Sequence, residues 1–134
     1  MSIYEMYETD DDNEIGGIIL NYGEGIRIKV ARAGGANSNF AKAFEKATRP
    51  YRKRMDTGTL DESLANDLLI QVFAETVVKG WEGITDREGN KLNFSVDNCV
   101  KVFKDLPDLF SDVKESSMSV SNFRFEEIEE DVKN

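Results

Sequence analysis

The chain has 134 residues, with 17 basic and 26 acidic side chains and a formal charge of -9. That length predicts one domain, and 40% apolar residues are enough for a core. The negative balance makes free nucleic acid a poor default partner, the lack of histidine removes the commonest general base and imidazole metal ligands, and a lone Cys99 excludes an internal disulfide.

The first fourteen residues carry Glu5, Glu8, Asp10, Asp11, Asp12 and Glu14 and no base, and predict a mobile acidic arm. Ile3, Tyr4, Met6 and Tyr7 are the residues able to dock part of it. A secretion signal needs a basic and then an apolar stretch, which this segment does not have. The longest aliphatic runs, at 18–20 and 68–70, are too short to span a bilayer. A soluble protein with no membrane contact and no cofactor is expected.

Residues 17–32 predict a β-hairpin. The run from Ile26 alternates apolar and basic side chains with period two, and Gly23-Glu24-Gly25 supplies the turn. A helix is expected from the Asn37-Ser38-Asn39 caps to about residue 54, with Phe40, Ala43, Phe44, Ala47 and Tyr51 on one face. Pro50 predicts a kink or break in it. The strongest helix spans 60–79. Leu64, Ala65, Leu68, Leu69, Val72 and Phe73 form one apolar stripe, and Ile70, Ala74 and Val77 a second. Such a helix is central to the fold, or it uses Ile70, Ala74 and Val77 for self-association. Residues 81–94 predict a second small hairpin or an extended loop, turning at 86–90. Ser95 caps a third helix and Pro107 opens a fourth. Residues 122–134 hold Glu126, Glu127, Glu129, Glu130 and Asp131 and predict a second acidic tail. The domain proper is thus expected at 15–121. Its class is α+β, mainly α: a hairpin, about four helices, and the small hairpin between the second and third.

No pattern in the chain carries obvious catalysis. Cys99 shares an apolar helical face with Val96, Val100 and Phe103, so a packed thiol is expected rather than a nucleophile. Calcium-loop spacing fails when counted from Asp10 or from Asp86. Residues 38–55 are more informative. Lys42, Lys46, Arg49, Arg52, Lys53 and Arg54 face one acid, Glu45, for a net of +5, which leaves -14 on the rest of the chain. Segregated charge of this kind steers association. A solvated helix face is the plainer reading of the same residues.

Asn39-Phe40, the run from Arg49 to Lys53, and Gly58-Thr59-Leu60 lead into Val78-Lys79-Gly80-Trp81-Glu82-Gly83-Ile84. Asp86, Gly89-Asn90, Leu92-Asn93-Phe94-Ser95, Asn98, Val100 and Leu106-Pro107-Asp108-Leu109-Phe110 follow. Taken in order, this resembles the tail assembly chaperones of long-tailed (siphovirus-type) bacteriophages. Gly80, Trp81, Glu82, Gly83, Asp86 and Gly89 are its most specific part. The resemblance implies a non-enzymatic protein of the host cytoplasm, absent from the mature virion. Such a protein coats the tape-measure protein, keeps it soluble, and helps recruit tail tube subunits. It also implies a frameshift-extended second product. Val132-Lys133-Asn134 is compatible with a slippery heptamer at the end of the gene. The expected partners are the tape-measure protein, the tube protein, the extended form and further copies of the chain, through Lys42, Lys46, Arg49, Arg52 and Lys53. Two alternatives stand beside this: another small phage component such as a head-tail connector or tail-completion protein, and a nucleic-acid-binding regulator using the basic helix. An enzyme is disfavoured by the missing histidines.

Overall fold

A computed structural model describes residues 2–124 and 132–133. The fold is α+β and mainly helical, with an N-terminal hairpin as expected. Helices α1 (Ile3–Tyr7) and α2 (Asp11–Gly16) precede strands β1 (Ile18–Gly23) and β2 (Ile26–Val30). Then come α3 (Ser38–Thr48), a 3-10 turn Arg49–Tyr51, α4 (Arg52–Asp56), α5 (Glu62–Thr76) and β3 (Val78–Glu82). Helices α6 (Val96–Asp105) and α7 (Pro107–Met118), a 3-10 turn Val120–Phe123 and strand β4 (Val132–Lys133) complete the order. The sheet runs β3-β2-β1-β4, antiparallel except for the β1–β4 pair.

Local chemistry places most of these boundaries. Glu24 and the two glycines beside it turn the hairpin at positive φ. Pro50 ends α3 in a 3-10 turn, because its ring removes a donor and crowds the carbonyl four residues back. Ser95 Oγ accepts from the Asn98 amide at 3.0 Å and starts α6. Pro107 opens α7 at its first position.

One face of the sheet is the floor of the core. Ile18, Leu20, Ile28, Val30 and Val78 are buried there under α5, α6 and α7. A chain of aromatic contacts crosses the helical layer. Phe40 meets Phe73 edge-on at 5.4 Å, Phe73 meets Phe110 at 5.4 Å, and Phe110 meets Phe103 at 5.3 Å. Tyr22 Oη donates to Asp112 at 2.9 Å and ties the hairpin to α7.

Three sequence expectations need correction. The long helix stops at Thr76, so Lys79 lies in a strand: β3 pairs antiparallel with β2, Trp81 opposite Ile28 and Gly80 opposite Lys29. Val78, β-branched at its start, favours extended backbone, and the bare edge of β2 supplies the partner that periodicity cannot reveal. What remains of the small hairpin is a bridge between Thr85 and Lys91. Second, Ile70, Ala74 and Val77 are at most 1% exposed. They face the core, so this stripe is the central-helix case and is closed to self-association. Third, the acidic N-terminal segment holds two helices, and the expected boundary after residue 14 falls inside α2. Of the expected C-terminal tail, residues 125–131 and 134 lie outside the described residues, while Phe123 is buried and β4 pairs with β1.

Candidate functional site

The basic segment is displayed by α3, the turn at Pro50, and α4. Phe40 packs against the core and Phe44 stacks on Phe40, while Lys42, Lys46, Arg49, Arg52, Lys53 and Arg54 are exposed. Glu45 divides this strip. Its carboxylate accepts from Arg49 and, at 3.3 Å, from Arg52. The Arg49 hydrogen bond, opposed by desolvation, holds the Glu45 carboxyl below its ordinary value, and the same bond raises Arg49. Lys42, Lys46, Lys53 and Arg54 lie beyond ion-pair reach of any carboxylate among the described residues.

The block Gly80, Trp81, Glu82, Gly83, Asp86 and Gly89 is a structural unit built on β3. The Trp81 indole donates to the Leu92 carbonyl at 2.8 Å and meets Phe94 edge-on at 5.2 Å, so it seats the 84–92 loop on the fold. Gly83 has φ +80°, and a Cβ there would lie 2.2 Å from the Gly25 carbonyl oxygen. Only glycine lets the hairpin turn approach so closely. Asp86 Oδ1 accepts from the amides of Asn90 at 2.8 Å and Glu88 at 3.0 Å. The Asn90 amide is the leading cause that lowers the Asp86 carboxyl. Gly89 completes that turn at positive φ. Glu82 reaches across the sheet to Arg27 at 3.4 Å. The outer face of the sheet carries an open concavity of about 270 Å³ lined by Ile19, Arg27, Lys29, Gly80, Trp81 and Glu82.

The remaining candidates are structural. Cys99 is fully buried, and desolvation pushes its thiol up to about 12, which keeps it protonated at neutral pH. Sequence reasoning missed two buried polar residues that hold the frame. Glu14, 2% exposed, pairs with Arg32 at 3.1 Å and accepts from Thr9 Oγ1 and the Ala36 amide. Asn37, also 2% exposed, donates to the carbonyls of Arg32 and Thr76 at 2.9 and 3.0 Å. It was expected only as a cap, yet its side chain makes no cap bond. Composition hides both, because an acid in an acidic run and an Asn before a helix look ordinary. The structure also leaves Ile3, Tyr4, Met6 and Tyr7 of α1 exposed rather than docked.

Among the described residues no helix is long and apolar enough to cross a membrane. No curated protein and no solved structure matches the chain. The family described as YdaY prophage protein matches residues 35–134, which hold the whole basic strip and the whole Trp81 block but not α1, α2 or the hairpin. That span is well over half of the chain, and the protein therefore belongs to the YdaY prophage protein family.

Proposed function

We propose that this prophage protein is a tail assembly chaperone. It binds the tape-measure protein in the host cytoplasm, keeps that long helical chain soluble, and helps gather tube subunits around it. It performs no catalysis and leaves before the virion is complete. The observation that carries this reading is the Gly80–Ile84 block with its Asp86 turn. Trp81, Gly83, Asp86 and Gly89 each meet a specific demand of the fold, so the resemblance to tail chaperones rests on a coherent unit. The exposed strip on α3 and α4 suits an acidic or amphipathic partner. A frameshift-extended form would join the same assembly through a second module at high effective concentration.

Coexpression with the tape-measure gene of the same prophage tests the proposal. The tape-measure protein should move into the soluble fraction and copurify with this chain. Failure to copurify with any tail protein would overturn the assignment. Retention in purified virions would favour a structural component instead.

A further inference from the structure

We propose that α1 of one molecule docks on the basic strip of α3 and α4 of a second copy. Helix α1 is five residues long, yet it is held by a full capping box between Ser2 and Glu5. Four of its five side chains are large and apolar: Ile3, Tyr4, Met6 and Tyr7 are 63, 74, 37 and 61% exposed. Ile3, Tyr4, Tyr7 and Glu8 line a shallow groove of about 400 Å³. A contiguous exposed patch of this kind marks an interaction site. Its own charges are negative, from Glu5 and Glu8, with Asp10, Asp11 and Asp12 following.

The counterpart is on the same chain. Lys42, Lys46, Lys53 and Arg54 are exposed and lack a carboxylate partner among the described residues. The strip also offers apolar surface, with Pro50 exposed and Met55 39% exposed. Lysine ammonium groups over the faces of Tyr4 and Tyr7 would add cation–π attraction. Within one molecule the main neighbour of α1 is the Val120–Phe123 turn. A second copy therefore supplies the acidic, aromatic occupant. This inference does not rest on the chaperone reading, since it concerns the purified protein alone.

Light scattering behind a sizing column is the test. At high concentration and low salt the weight-average mass should reach at least about twice the 15.1 kDa monomer. It should return to monomer in about 1 M salt, where the screening length is about 3 Å. Tyr4→Ser with Tyr7→Ser, and separately Lys46→Glu with Lys53→Glu, should each give monomer at every salt concentration. An equimolar mixture of the two variants should regain the doubled mass, because one keeps the strip and the other keeps α1. A monomeric parent protein at low salt would overturn the proposal. So would variants that associate like the parent, or a mixture of folded variants that stays monomeric. Far-UV circular dichroism checks the fold, and Tyr7→Ser or Lys46→Glu alone replaces any double variant that fails it.

Discussion

Gly80 and Gly83 sit three positions apart in one block and answer to different constraints. A Cβ on Gly83 collides with the backbone of Gly25, and its φ is +80°. Gly83→Ala should cost about 2 kcal/mol or more, the scale of one strained backbone position with a clash added. Gly80 has ordinary φ, and a Cβ there meets open space. Gly80→Ala should stay within about 0.5 kcal/mol, and urea unfolding of the pair decides the contrast. Glu14→Ala should cost about 3 kcal/mol, because it strands a partly buried Arg32 and leaves the Ala36 amide without its acceptor. Cys99 gives a chemical readout of the same core. Its thiol, raised by burial to about 12, should resist a disulfide reagent in the folded state and react only when the chain opens. The folded state keeps this proton longer than the unfolded chain does. Stability should therefore begin to fall above the ordinary thiol value of 9.0 and go on falling toward 12.

At the scale of elements, Asn37 matters more than any cap. Its amide joins the segment after β2 to the end of α5, and Asn37→Ala takes this donor from two part-buried carbonyls. A loss of about 2 kcal/mol is expected in denaturant unfolding. The same residue explains why some of the fold was legible in the sequence and some was not. The hairpin turn, the break at Pro50, the Ser95 cap and the Pro107 start each depend on chemistry within a few residues. The switch from α5 to β3 depends on a free edge of β2 some fifty positions away, and helical periodicity runs on through it. The second apolar stripe of α5 was visible, but its destination was not, because one helix cannot show what packs on each side of it. Of the candidate site, the cationic face of α3 and α4 was legible from spacing against Phe40 and Phe44. The pairing of Glu45 with both Arg49 and Arg52 was not read from the sequence, because the break at Pro50 leaves the direction of the following turn open to tertiary packing.

Over the whole molecule, charge sets two responses to salt that run in opposite directions. A net charge of -9 repels itself across a small domain. Added salt should raise the melting temperature of the monomer by a few degrees while dissolving contacts between copies. Scanning calorimetry and light scattering on one sample would separate the two. Acid acts through named carboxylates. Glu45, Asp86 and Asp105 are all lowered, chiefly by the Arg49 bond, the Asn90 amide and the Lys101 bond. Each contributes stability above the ordinary carboxylate values and loses it as pH falls through its lowered value. Unfolding should therefore be nearly independent of pH near neutrality and ease below about pH 4.

The β1–β4 pair joins Leu20 to Val132, so one edge of the sheet is covered by residues that the ribosome adds long after β1, β2 and β3. Strands β1, β2 and β3 can assemble while synthesis continues, but β1 keeps a bare row of amides and carbonyls until Val132 and Lys133 have been made. During translation the protein thus has a period in which this edge is open to another strand, and that period closes when β4 pairs with β1.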